Sequence, residues 1–297
     1  MTPPLFTDTQ QKRLTIEALK NLLRSQLGGM IRAVKNINAG NIIYRGVAWD
    51  RRPDLIADLS YPPPDKVSKL GRLNRSGQSV FYGSAGAPGV FYELKPHEGS
   101  CIAFSKWHVM EPLWMHNLGY HADALVRLGA TPNSARLALT EPIPNETQRN
   151  KRLRKKIALA FTQDIIPGFE YRYKQSVAIT EFWCEHHQPR PTEPGKPRTG
   201  EVAGVIYPSL QMRGDADNAV FWPKFVHSSL MLAQVQYVLV EKADYSRLSF
   251  SLLTVGIANE FSNGVSIKWL DDLPSEDERR CHISFEDGKW VLRGGSI

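Results

Sequence analysis

Thr7 and Gln10 have the spacing of a helix-capping box, and Ile16, Leu19, Leu23 and Leu27 then recur on one helical face until Gly28 and Gly29 interrupt it. The pattern predicts an N-terminal helix, followed by a strand over the β-branched run Asn41 to Val47. From Pro53 to Gly77 prolines and glycines recur too often for regular structure, so an ordered loop carrying Arg72, Asn74 and Arg75 is expected. Ser79 to Gly83 reads as a strand, after which a Gly- and Pro-containing turn delivers the chain to Val90, Phe91, Tyr92, Glu93 and Leu94. Arg149 to Phe161 places Leu153, Ile157, Ala160 and Phe161 on one helical face and turns Arg152, Lys155 and Lys156 away from it.

The later part of the chain reads as mostly strand. Gln188 to Thr199 holds four prolines and is expected to be an exposed loop between strand-like flanks. Val202 to Pro208 and Val235 to Glu241 predict strands, and His282 to Glu286 with Lys289 to Arg293 flank Asp287–Gly288 as a hairpin. Helices and strands mix without βαβ alternation, which predicts an α+β fold with a substantially antiparallel sheet.

Composition narrows the class. The 297 residues are 42% apolar and 23% charged, a globular balance with length enough for a sizeable core. Cys101, Cys184 and Cys281 are few, odd in number and far apart, which fits reduced thiols and a cytoplasmic location. The N-terminus lacks the layout of a signal peptide, and no run approaches the roughly twenty apolar residues of a membrane span. Lys and Arg exceed Asp and Glu by 37 to 30, so the surface favours anions: nucleotides, nucleic acid or acidic proteins.

Several chemistries lack their motif: there is no Walker loop, no HExxH helix and no GxSxG elbow. The glycines of the Gly83 to Gly89 stretch do not have dinucleotide-fingerprint spacing. Cys184, His186 and His187 are metal-capable but lack a second ligand pair, so no metal is expected. Trp107, His108, Trp114 and His116 suit either base stacking or core packing. With the basic run from Arg149 to Lys156, they keep a nucleic-acid-binding protein or nuclease as a second reading.

Three blocks set a polar residue among apolar or small neighbours: Ile43–Tyr44–Arg45–Gly46, Phe81–Tyr82–Gly83 through Glu93, and Ile206–Tyr207–Pro208–Ser209. A charge in such a setting needs a partner or a ligand. Taken singly, Arg45 could cap a helix or pair with Glu93, and Ser209 could simply turn the chain.

In order and flanking residues these blocks resemble the RES family, named for its Arg, Glu and Ser. YRG at 44–46 is similar to the Arg motif, GRLN at 71–74 to the GRWN-type motif, and YGS at 82–84 to the approach to the Glu. GVIYPS at 204–209, followed by Asn218 and Phe221–Trp222–Pro223, is similar to the Ser block. Leu73 stands where the family usually has Trp, and Gly89 to Tyr92 replace a more Ala-rich lead into the Glu. The likeness spans about 41–241, leaving an N-terminal helical extension (1–40), an insertion-like segment (101–149) and a C-terminal extension with a terminal hairpin (242–297), expected to pack on the same domain.

The resemblance implies an ADP-ribosyltransferase-like core with a split, largely antiparallel sheet and flanking helices. It implies an enzyme for which NAD is the substrate, cleaved at the nicotinamide–ribose bond by hydrolysis or phosphorolysis, or used to transfer ADP-ribose. Many such proteins are toxins restrained by an antitoxin partner. Arg45, Glu93 and Ser209 would be catalytic, with Tyr44, Arg72, Tyr82 and Asn218 binding the nucleotide. The residue types suit the task, since guanidinium forks match pyrophosphate oxygens and a carboxylate stabilises positive charge growing on a ribose.

Overall fold

A computed structural model of the chain describes residues 4–27, 34–130, 140, 146–185, 201–286, 289–295 and 297. Gly28–Gly29, His186–His187, the Pro-rich stretch 188–199 and the Asp287–Gly288 turn lie outside them.

The capping box at Thr7 forms as expected, but it starts a short helix, α1 (Asp8–Arg13), and Leu14 then turns extended. Thr15 recaps the chain by accepting from the Ala18 amide, and α2 (Ile16–Leu27) buries Leu19, Leu23 and Leu27. The N-terminal pattern therefore makes two helices, because a second hydroxyl cap restarts the series. Strands β1 (Val34–Ile37) and β2 (Ile42–Ala48) follow. The stretch 53–77, expected to be loop throughout, contains the single helical turn α3 (Ile56–Leu59) and a 3-10 turn at Pro64–Lys66. Then come β3 (Phe81–Ser84), α4 (Ala87–Leu94), β4 (Cys101–Val109), β5 (Leu113–Asn117), α5 (Ala122–Leu128) and α6 (Gln148–Phe161).

Ahead of the Pro-rich stretch the chain is helical, α7 (Tyr173–Glu185), and not the strand-like flank that the β-branched and aromatic content predicts. Val177, Ala178, Ile179, Phe182 and Trp183 are buried on several sides of this helix. An element buried almost all round loses the amphipathic period by which helix and strand are told apart. The remainder is β6 (Val202–Pro208), β7 (Asp217–Phe221), α8 (Pro223–Ser229), β8 (Leu230–Asp244), β9 (Ser249–Ala258), β10 (Glu260–Ser262), β11 (Ser266–Lys268), α9 (Glu276–Arg279), β12 (Arg280–Glu286) and β13 (Lys289–Gly294).

Among the described residues eleven strands form one sheet in the order β1-β5-β6-β7-β3-β2-β4-β8-β9-β12-β13, with β10 and β11 as a separate pair. Its pairings are antiparallel except β5 with β6. The fold is thus α+β, with a large, mostly antiparallel sheet and flanking helices. The insertion-like segment supplies β4, which pairs with β2 and β8 in the middle of the sheet. The C-terminal hairpin forms and extends the same sheet through β9.

One join in this sheet is different from the rest. β2 and β3 meet through the single pair Tyr44↔Ser84, whereas β2 and β4 run paired over seven residues from Ile42 to Ala48. The sheet is therefore two well-laddered halves, β1-β5-β6-β7-β3 and β2-β4-β8-β9-β12-β13, joined by one backbone pair.

Helices cover the halves separately. Leu19 and Leu23 of α2, Leu153 and Ile157 of α6 and Phe182 of α7 pack with Val205 and Val220 of the first half. Arg75 ties this layer to the loop before β3 by bridging Glu17 and Glu181, and Lys20 pairs with the same two carboxylates. On the second half, Val90, Phe91 and Tyr92 of α4 pack with Phe104, Val238 and Phe250.

Candidate active site

Helix α4 brings Glu93 to the split. Gly86 is its N-cap, Pro88 lies in its first turn, where a missing amide costs nothing, and Lys95 closes it in the left-handed region at φ 50°. Gly89 lets the helix approach β3, since a Cβ there would lie 2.3 Å from Ser84 Oγ. Phe91 stacks on Phe104 at 5.6 Å, and Tyr92 packs on Phe250 and Trp290 at 4.9 and 4.4 Å while its hydroxyl donates to Leu248 O. The helix is thereby fastened to the second half of the sheet.

Its carboxylate reaches the first half. Ser209, at the end of β6, donates from its hydroxyl to Glu93 Oε1 at 2.6 Å, and Asn218 Nδ2 on β7 donates to the same oxygen at 2.8 Å. Both donors are buried, Ser209 completely, and Ser209 Oγ also accepts from the Met212 amide. Oε1 is saturated, while Oε2 has no donor among the described residues. The Glu and Ser of the resemblance, with its trailing Asn, thus form one hydrogen-bonded group.

Arg45 does not pair with Glu93. Its Nε donates to the carbonyls of Leu59 and Ser60, both at 3.0 Å, and its Nη1 to Tyr82 O at 2.6 Å. The guanidinium lies 5.0 Å above the Phe81 ring, and burial pulls its pKa down to about 10, which still leaves it charged at neutral pH. By linking β2 to the carbonyl of Tyr82 on β3, Arg45 staples the two halves beside the point where they touch. Arg45→Ala is expected to remove about 2–3 kcal/mol of stability, read as a lower denaturation midpoint. An unchanged midpoint would assign Arg45 to ligand binding alone.

The GRLN segment forms the next wall. Tyr82 donates to Asn74 Oδ1 at 3.0 Å and accepts from the Leu73 amide at 3.1 Å. Burial pushes the Tyr82 phenol up to about 12, so it stays neutral. Gly71 is required by the same turn, because a Cβ would fall 2.3 Å from Asn74 Oδ1. Arg72 donates to the carbonyls of Phe161 and Gln163 and sits over the rings of Tyr173 and Tyr207 at 5.4 and 5.9 Å. Its fork is thus aimed and partly occupied by the carbonyls that end α6.

These groups line one cleft of about 540 Å³, within the range of small-molecule sites. Tyr44, Arg45, Arg72, Tyr82, Glu93 and Asn218 all face it, and Ser209 lies behind Glu93. Tyr44 stacks on Phe104 at 5.6 Å, beneath α4. The cleft also takes Lys95, Asp164, Tyr173 and Tyr207, to which sequence reasoning gave no role. Asp164 and Tyr173 sit in segments without a motif, whereas Tyr207 lies inside the Ser block and could have been singled out.

The features behind the nucleic-acid reading do not converge here. Trp107 is buried against Phe81 with its Nε1 donating to Ser105, His116 is buried in β5, and neither lines the cleft. On the basic helix, Arg154 pairs with Glu146, Lys155 with Asp123, and Arg149 donates to Gln26 O. No group of three or more potential metal ligands occurs among the described residues, and no helix among them is long and apolar enough to cross a membrane. Comparison with family models, with curated proteins and with solved structures returns no match, so the chemistry of this chain has to be inferred from the cleft itself.

Proposed function

We propose that the chain is an NAD-consuming enzyme that cleaves the bond between nicotinamide and ribose, as a glycohydrolase or phosphorylase. The observation that carries this reading is the Glu93 carboxylate, held by Ser209 and Asn218 through one oxygen and open to the cleft through the other. Nicotinamide departs from a cationic ring as a neutral molecule, so the reaction needs a fixed negative charge beside the sugar more than it needs an acid. Oε2 supplies that charge without reorganisation, because its sister oxygen is already saturated.

Ser209 is a positioning residue in this scheme. Its hydroxyl donates to the carboxylate and, 0% exposed, is turned away from the cleft toward Glu93. Arg72 and Lys95 supply positive charge at the cleft for a pyrophosphate, while Tyr44 and Tyr82 offer faces and a hydroxyl for the nucleoside ends. Arg45 contributes charge from the floor and holds the split in register.

Transfer of ADP-ribose to a macromolecule uses the same group with a different acceptor, and is the second outcome to be distinguished. The RES-like blocks also support a toxin restrained by an antitoxin partner, and the three scattered cysteines support a cytoplasmic location. Incubating the purified chain with NAD, with and without phosphate, and following free nicotinamide tests the reading. Release that needs neither phosphate nor added protein indicates hydrolysis; phosphate-dependent release indicates phosphorolysis. No release from folded, inhibitor-free protein under either condition overturns it.

A further inference from the structure

One of the buried residues lining the cleft, Tyr207, has a hydroxyl to which the proposed chemistry gives no role. Tyr207, on β6, is only 5% exposed, and its ring packs on Phe161 and beneath Arg72. Its hydroxyl makes no hydrogen bond among the described residues. Tyr207 lines the cleft together with Tyr82, Glu93, Arg72 and Tyr173. Its hydroxyl is not among the described side-chain atoms sealed from solvent without a partner, so the hydroxyl end of this side chain is the end that meets the cleft.

A phenol that faces a cleft without a protein partner keeps its hydrogen-bonding capacity for water or for a ligand that displaces it. Neighbouring hydroxyls show the contrast: Tyr82 is fixed to Asn74 and the Leu73 amide, and Ser209 to Glu93. Tyr207 alone of these three keeps both its donor and its acceptor for something that enters.

We infer that Tyr207 and the open oxygen of Glu93 together recognise the vicinal diol of the ribose that carries the leaving base, the carboxylate accepting from one hydroxyl and the phenol donating to the other. The complementarity is chemical. A cis-diol has two donors and two acceptors side by side, and a carboxylate and a phenol lining one cleft offer it an acceptor and a donor. Burial and the charge of Glu93 hold the phenol pKa well above its ordinary value, so it remains a neutral donor across the working range. Contacts with the Phe161 ring and the Arg72 guanidinium, together with its burial, fix its direction, so little rotamer freedom is lost on binding.

This inference rests on the proposed reaction, and the experiment keeps the two apart. Full-length wild type and Tyr207→Phe are compared by calorimetry with ADP-ribose and with the two analogues lacking the 2′- or the 3′-hydroxyl on the ribose distal to adenosine. Nicotinamide release is followed in parallel from NAD and from the two matching deoxy analogues, and a melting curve confirms the fold. Tyr207→Phe is expected to weaken ADP-ribose binding, and kcat/KM for NAD, by about tenfold, while changing one of the two deoxy ligands, the one lacking the hydroxyl that the phenol holds, by less than about threefold. Equal losses on all three ligands, or none on ADP-ribose, overturn the diol assignment. Wild-type binding of ADP-ribose without nicotinamide release removes the reaction but leaves the binding arm to decide on Tyr207. Failure of the wild type to bind ADP-ribose overturns both.

Discussion

Glu93→Gln is expected to slow nicotinamide release by at least about a hundredfold while leaving the melting temperature within a few degrees of wild type. The substitution keeps the shape of the side chain and an oxygen able to accept from Ser209 and Asn218, so the hydrogen-bonded group survives. It removes the charge, and charge is what a cationic ribose needs. Losing one preorganised electrostatic contact in an active site typically costs two to three orders of magnitude in turnover. A single-turnover assay beside a binding measurement checks it: the rate of release should fall by much more than nucleotide affinity does. Retention of near-normal kcat in Glu93→Gln would show that this carboxylate is not the one that acts, whatever its position.

The largest structural effect is expected at Gly204. This residue lies in β6 between Met115 of β5 and Phe221 of β7, and a Cβ added there would sit 1.8 Å from the Val220 carbonyl oxygen and 3.0 Å from Met115 Cε. The first of these is backbone, which cannot rotate away. Gly204→Ala should therefore cost about 3 kcal/mol or more, because a packed strand must move as a whole. In a chain of this size that lowers the melting temperature by roughly 10 °C, or prevents soluble expression altogether. β7 also carries Asn218, so any surviving protein should show weakened activity beyond its loss of stability. A melting temperature equal to wild type would mean that β6 and β7 are not packed this closely.

The Glu93 prediction depends on the join between β2 and β3, which the Glu93 contacts span. The β2–β3 split gives the cleft its floor, and the contacts that bridge it include the Tyr44↔Ser84 pair, Arg45 to Tyr82 O, and Glu93 to Ser209 and Asn218. α4 is anchored on Phe250 and Trp290, and Arg213, in the turn after Ser209, lies 5.7 Å from the Phe285 ring. The C-terminal strands therefore brace both sides of the candidate catalytic group.

What the sequence determined by itself was local. The capping box at Thr7, the apolar face of α6, the strand Val202–Pro208 and the terminal hairpin are set by neighbours a few residues apart, and those neighbours are legible in order. The blocks around Arg45, Glu93, Ser209, Arg72 and Asn218 were likewise visible as polar residues in rigid settings. Where burial on several sides erased the period, as in α7, the reading failed.

Tertiary structure decided the rest. That Ser209 and Asn218, 116 and 125 residues from Glu93, converge on one of its oxygens depends on strand order. That Arg45 is bound to three carbonyls instead of Glu93 depends on the split. That Tyr207 keeps a free hydroxyl depends on which neighbours the packing leaves out. Local spacing encodes backbone conformation, but the partners of a buried polar group are chosen by long-range pairing, which no short stretch of chain specifies.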